Sequence, residues 1–212
     1  MSDVACRPAR LAVLVSGTGT NLAALQRAIE ADPDFGAEIV VVGSDRADAR
    51  GLDHARDAGI ATVVATLADH PDRRSWEDEL IAALEAHEPG VVVLAGFMKL
   101  LSGAFLARWP QRVINTHPSL LPAFRGAHAV REAVEYGVKV SGSTVHLVDE
   151  EVDHGPIIAQ RAVEVHDDDS EDSLHERIKA VEHELLPTCV KLLSRGRLVV
   201  DGRHVRILEA SK

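Results

Sequence analysis

The sequence predicts an α/β fold: one domain built on a mostly parallel, twisted sheet with helices on both faces and an antiparallel strand pair toward the C-terminus. Three observations predict it. Short, wholly apolar runs, Leu11–Val15 and Val91–Ala95 among them, lack the alternation of a half-exposed strand and read as strands buried on both faces. These runs alternate with segments of helical spacing, the rhythm of parallel strands joined by crossover helices. A length of 212 residues fits one domain with a sizeable core.

Taken in order, Leu11–Val15 ends in Ser16-Gly17-Thr18-Gly19-Thr20-Asn21, and Leu22, Ala23, Leu25, Ala28 and Ile29 then recur with helical spacing. A strand, a glycine loop and a helix aim free backbone N–H groups and a positive dipole end at an anion. The loop is not a dinucleotide fingerprint, because Leu22 stands where the third glycine belongs, and no Gly-Lys-Ser/Thr makes it a Walker loop. A plain tight turn capped by Asn21 is the other reading. Ile39–Gly43 is a second strand, Ser44–Arg50 a polar loop, and Leu52–Ala58 a short helix stopped by Gly59. Ala61–Ala65 follows as a strand. Asp72 to His87 is an amphipathic helix with Trp76, Leu80, Ile81 and Leu84 on one face, ended by Pro89. Val91–Ala95 is the most apolar run and hence a central strand, with Gly96-Phe97-Met98-Lys99-Leu100-Leu101 at its carboxyl edge. Ligands bind beyond such edges, so this segment is either core or pocket wall.

The stretch from Val113 to Asp153 carries the chemistry. Val113–His117 reads as a strand that stops in a loop held by Pro118 and Pro122. Asn115 and His117 project to one face of it, an amide donor beside an imidazole. That pairing suits a reaction in which negative charge develops on a carbonyl oxygen. Asp153, in the turn Val152-Asp153-His154-Gly155-Pro156, offers a carboxylate that could orient the histidine or serve only the turn. Between them come a helix from about His128 to Tyr136, closed by Gly137, and the alternating strand Ser143–Val148. Ile157–Val165 is its expected antiparallel partner. His146 reads as a strand histidine that meets a hydrogen bond. Asp167–Asp172 reads as a solvated loop and helix start. Ser173 begins a long helix, interrupted by Pro187, on which Glu182 reads equally as a surface glutamate or a site residue. Leu198–Val205 is a hairpin around Asp201-Gly202.

A formal charge of −10 leaves no basic surplus for phosphate backbones, so no nucleic acid is expected as the main partner. Cys6 and Cys189 make no ligand pair, and cysteine this sparse fits a reducing compartment. Met1–Arg10 is polar, unlike a signal peptide, and apolar runs reach strand length only. A cytoplasmic protein with no membrane segment is expected.

The run Ile114-Asn115-Thr116-His117-Pro118-Ser119-Leu120-Leu121-Pro122, with Asp153-His154-Gly155-Pro156 further on, resembles the folate-dependent formyltransferases. The likeness is strongest to the group that formylates phosphoribosylglycinamide in purine synthesis, and it extends from Val13 to about Leu193. It implies a Rossmann-like domain, 1–212, with a phosphate-binding half at about 10–95, a folate-binding and catalytic half at about 96–195, and a C-terminal hairpin at about 197–208. It implies Asn115, His117 and Asp153 as the catalytic trio, with Asp153 raising the pKa of His117. Gly19, Thr20 and Asn21 would hold the substrate phosphate, and Glu182 the amine end. Arg73, Met98, Lys99, Leu100, Leu101, Asn115, Val152 and Asp153 would bind folate. The implied co-substrate is 10-formyltetrahydrofolate, with no metal or nucleotide cofactor, small molecules as partners, and a monomer or homodimer. Three alternatives stay open: a tRNA-directed formyltransferase, which Arg125-Gly126-Ala127 resembles, a formyltetrahydrofolate hydrolase, and a silent binding module on the same fold. His154 departs from the family pattern, which often has Gly there.

Overall fold

The computed structural model describes residues 7–209; Cys6 lies outside the described residues. Nine strands and six α-helices are described. They are β1 (Ala9–Val15), α1 (Thr20–Ala31), β2 (Ala37–Ser44), α2 (Gly51–Asp57), β3 (Ala61–Val64), α3 (Arg73–Glu85), β4 (Val91–Leu94) and α4 (Gly103–Leu106). Then come β5 (Val113–His117), α5 (Ala129–Tyr136), β6 (Val140–Leu147), β7 (Ile157–Glu164), α6 (Glu171–Ser194), β8 (Leu198–Asp201) and β9 (His204–Ile207). Seven strands form one sheet in the order β3-β2-β1-β4-β5-β6-β7. The first five run parallel, and β6 and β7 are antiparallel additions, as Ile157–Val165 led one to expect. The hairpin β8–β9 is a separate pair.

Alternation along β1 divides the core. Leu11, Val13 and Val15 face α1, α2 and α6, packing with Leu22, Leu52, Leu186 and Val190. Ala12 and Leu14 face α3 and α4, packing with Trp76, Leu80, Leu84 and Phe105. This two-sided burial is why the strands read as unbroken apolar runs. From β1 the chain winds outward through β2 and β3, then crosses back to lay β4 on the other side of β1. The helices after β1 and β4 therefore leave the sheet in opposite directions. A crevice opens between them at the carboxyl ends.

Two expectations need correction. The last long helix is not interrupted at Pro187 but runs through it to Ser194. Proline there removes one helical hydrogen bond, yet Leu185, Leu186, Pro187, Cys189 and Val190 are all buried on the same helix. Packing on both sides of the proline outweighs the local break. The helix also begins earlier than Ser173, at Glu171, because Ser170 is the cap: its hydroxyl accepts from the Ser173 N–H while the Ser173 side chain accepts from the Ser170 N–H. Asp167, Asp168, Glu171 and Asp172 are exposed, the solvated helix start that composition suggests, while the Asp169 side chain is tucked in against Arg177.

Candidate active site

A cleft of about 400 Å³ opens at the carboxyl ends of β1, β4 and β5. Its lining includes Thr20 and Asn21 from α1, Met98 to Leu101 after β4, Asn115 to His117 from β5, Val152 and Asp153, and Glu182 from α6. Residues predicted from distant parts of the chain thus share one cavity. Arg73 and Gly19 are outside that lining, and both have other work.

The strand end behaves as its period requires. Val113 packs with the α3 side of the core and Ile114 with the α6 side, so Asn115 and His117 fall on one face and Thr116 on the other. Asp153 bridges the first two: its Oδ1 lies 3.5 Å from Asn115 Nδ2 and its Oδ2 lies 3.3 Å from His117 Nδ1. Oδ2 also accepts the Gly126 N–H at 2.8 Å. On the other side of the imidazole, Nε2 lies 2.8 Å from the carbonyl oxygen of Phe124. A carbonyl only accepts, so Nε2 carries a proton. The ionised carboxylate facing Nδ1 also only accepts, so these partners favour the doubly protonated ring while burial favours the neutral one with Nδ1 bare. Phe124 (φ 51°) and Asp153 (φ 47°) are both in the left-handed region, uncommon for residues other than glycine. Backbone strain therefore stands on both sides of one histidine, a pattern that clusters at functional sites.

The electrostatics differ in one respect from expectation. Burial depresses the pKa of His117, and the charge of Asp153 and the Phe124 carbonyl oppose this without reversing it. The direction of the carboxylate effect is as expected; desolvation is larger. For Asp153 the balance goes the other way. Its own burial opposes the charge, but His146, His117 and the Gly126 N–H together hold its pKa below the usual carboxylate range.

His146 belongs to this group, which its sequence did not reveal. The antiparallel register sets it opposite Asn115. Its Nδ1 lies 2.9 Å from the Leu147 carbonyl and its Nε2 lies 3.2 Å from Asn115 Nδ2. The Leu147 carbonyl accepts from Nδ1–H, and in the neutral ring Nε2 accepts from the amide. Nε2 also lies 3.8 Å from Asp153 Oδ1, a contact that the charged ring would favour. One amide proton is then held by His146. The other makes only the long contact to Asp153 and is available to a developing oxyanion. No motif could have found His146, because a cross-strand neighbour depends on register.

Across the strand, Thr116 donates to Glu182 Oε1 at 3.0 Å and Asn21 Nδ2 approaches Oε2 at 3.3 Å. Glu182 is only 4% exposed and lines the cleft, so it is not a helix-surface glutamate. Burial raises its pKa, against the two hydrogen bonds. Asn21 is not the helix cap; Gly19 holds that position with φ 76°. A Cβ on Gly19 would stand 2.5 Å from Gly51 Cα, so this glycine lets α2 approach the loop. Its replacement would test packing before it tested any anion.

On the wall after β4, Leu101 is buried while Met98 and Leu100 are 68% and 59% exposed, and Val152 across the cleft is 40% exposed. These are among the few large apolar side chains left open to water, and they line the cavity. Lys99 turns its ammonium to Asp45, at 3.6 Å. Arg73 donates to the Leu100 carbonyl and lies 5.6 Å from the Trp76 ring centre, bracing the wall from behind. Cys189 is sealed in the core, where burial pushes its thiol up to about 12, so it is no nucleophile.

The formyl transferase family profile matches residues 9–190 of the chain. The chain is 50% identical over 196 residues to phosphoribosylglycinamide formyltransferase of Mycobacterium tuberculosis, covering 92% of this chain and 90% of that protein. It is 42% identical over 188 residues to the enzyme of that name from Escherichia coli, covering 89% and 88%. The chain belongs to the phosphoribosylglycinamide formyltransferase family. It is accordingly an enzyme, a formyl-group transferase. A crystal structure of glycinamide ribonucleotide transformylase 1 from Symbiobacterium toebii superposes with a TM-score of 0.93 at 45% identity, over 96% of this chain and 95% of that one. The likeness supports the Rossmann-like fold of this formyltransferase, a mostly parallel sheet with late antiparallel strands, as the sequence predicted. Among the described residues of this formyltransferase no helix is long and apolar enough to cross a membrane.

Proposed function

We propose that the enzyme transfers the formyl group of 10-formyltetrahydrofolate to the amine of 5-phosphoribosylglycinamide, a step of purine synthesis carried out in the cytoplasm. One observation carries the reading: a helix N-terminus, a buried carboxylate, the Asn115–His117–Asp153 group and an open apolar wall line the same cleft. The N–H groups of Thr20 and Asn21, at the start of α1, suit a phosphate, which also reconciles an acidic protein with an anionic substrate. Gly19 supports that site through its turn. Glu182, beside Asn21, receives the substrate amine. Met98, Leu100, Leu101 and Val152 take the flat face of the folate ring, with Lys99 and Arg73 as supports of that wall. The N-terminal half thus serves the phosphate and the C-terminal half the folate, within one domain. No metal or nucleotide cofactor enters the scheme, the partners are small molecules, and the enzyme works as a monomer or homodimer.

In the proposed reaction the amine attacks the formyl carbon directly, forming the new C–N bond and placing negative charge on the formyl oxygen. The free Asn115 amide proton stabilises that oxyanion. Neutral His117 takes the proton released by the attacking nitrogen, directly or through a water, and the resulting imidazolium lies against Asp153. The C–N bond to folate then breaks and that proton passes to the departing folate nitrogen. The amine is itself the nucleophile, so no covalent enzyme intermediate is required. The test is a formyl-transfer assay with 10-formyltetrahydrofolate and three acceptors: phosphoribosylglycinamide, tRNA and water. Turnover with the first alone is expected; faster release of formate to water would make the protein a hydrolase.

A second test uses Glu182. Glutamine fits the same partners, accepting from Asn21 and donating to Thr116, whose hydroxyl can turn to Ser143 at 3.3 Å. Removing a buried carboxylate whose pKa burial has raised relieves its desolvation above neutral pH. Glu182→Gln should raise Tm by about 2–4 °C, the equivalent of about 1 kcal/mol for a chain of this size. The same change should raise KM for phosphoribosylglycinamide by roughly 10-fold or more, the usual cost of a lost charge-assisted hydrogen bond. Unchanged KM for that substrate would remove Glu182 from the amine site.

A further inference from the structure

The loop that carries Asp153 is pinched shut at its base. Leu147 donates its N–H to the Pro156 carbonyl at 2.9 Å, and a Cβ on Gly155 would stand 1.8 Å from the Leu147 carbonyl oxygen. Between these points residues 148–154 bulge out, and 148–153 line the cleft. Their outer side is held by an element that the reaction does not use. In the hairpin β8–β9, Gly202 takes φ 57° at the first position of the turn, which sets Arg203 at the tip. Arg203 Nη2 donates to the carbonyl of His154 at 2.6 Å. Its Nη1 lies 2.9 Å from His154 Nε2 and 3.4 Å from Nδ1, so it stands over the ring instead of along one lone pair. The ring itself is oriented by Asp149, 2.7 Å from Nδ1 at the start of the same loop.

The hairpin is anchored well enough to hold something. Leu198, Val200 and Val205 pack on the main core, and Leu208 and Arg197 tie its open end together. We propose that the C-terminal hairpin is a latch for the Asp153 loop: Arg203 clamps His154 and its carbonyl, and His154 and Asp149 join the two ends of the loop. His154 stands where a glycine would offer the carbonyl but no ring, so the side chain doubles the grip. The latch holds Asp153 in its left-handed conformation, with its carboxylate between Asn115 and His117, before any ligand arrives. Arg203 touches no residue of the proposed trio; it is a positioning residue. The proposal rests on the reading of this cleft as the folate and catalytic site.

The experiment compares the wild type with Arg203→Ala and His154→Gly. Amide hydrogen exchange of residues 149–155 in the free protein reports the latch directly. It should quicken by about 10-fold in Arg203→Ala and by less in His154→Gly, which keeps the carbonyl contact. Tetrahydrofolate should bind Arg203→Ala about 5- to 10-fold more weakly, with KM for phosphoribosylglycinamide and the unfolding midpoint unchanged. Loop exchange that does not change in Arg203→Ala overturns the latch. Faster exchange with unaltered tetrahydrofolate affinity overturns its positioning role. If the wild type itself binds no tetrahydrofolate, the reading of the site fails, and the exchange measurement still decides whether Arg203 holds the loop.

Discussion

Replacing Asn115 by alanine is expected to lower kcat by about 10²–10³-fold, the usual cost of losing one fixed donor at a developing oxyanion, and replacing His117 by about 10²–10⁴-fold, the usual contribution of a general base. The two losses should not add when combined, because both groups act on the same intermediate. KM for either substrate should change little, since neither group is asked to bind the ground state tightly. Asn115→Ala leaves His146 Nε2 without its 3.2 Å donor, and His117→Ala leaves the Phe124 carbonyl without its 2.8 Å partner. Each variant should therefore lose some stability, on the order of 1–3 kcal/mol, while keeping a cooperative transition. Steady-state kinetics beside thermal unfolding separates the two effects. A folded His117→Ala enzyme with near-normal kcat would remove the imidazole from the proton path.

Asp153→Asn tests the carboxylate as a charge, because shape is nearly kept. The Gly126 N–H at 2.8 Å can still be accepted by the new amide oxygen, and the amide nitrogen can donate to His117 Nδ1. That hydrogen bond would hold the ring neutral. His117 already titrates below an ordinary histidine because it is buried, and Asp153 is the largest influence raising it. With the charge gone, the pKa should fall further. The imidazolium that must form during the reaction then becomes harder to reach. A fall in kcat of about 10²-fold or more is expected, by analogy with the loss of other histidine-orienting carboxylates. Residual activity should shift to lower pH, within the range where the substrate amine stays unprotonated. An NMR titration of the His117 ring in both proteins checks the cause, and the pH–rate profile checks the consequence. If the ring titrates alike in both, Asp153 serves the turn alone.

Much of the fold was legible because burial on both faces of a parallel sheet writes itself as unbroken apolar runs. Val91–Leu94 and Leu11–Val15 needed no more than that, and the glycine loop between β1 and α1 marked the crevice. The strand period was also enough to put Asn115 and His117 on one face. Contacts between distant segments were another matter, because they depend on register, loop closure and packing that no local pattern encodes. His146 joined the site only because an antiparallel register set it opposite Asn115. Glu182 read equally as a surface glutamate or a site residue until the packing of α6 buried it beside Thr116 and Asn21. Gly19, suited to an anion loop on sequence grounds, is first a contact with Gly51. The sign of the His117 shift followed the same logic: a charged neighbour can be guessed from residues, but desolvation is a property of the assembled interior. The amino-acid sequence alone therefore determined the sheet, the crevice and the chemical groups offered to it. Tertiary structure decided which groups touch, which are buried, and which pKa effect prevails, since those energies depend on distance and solvent access across the fold.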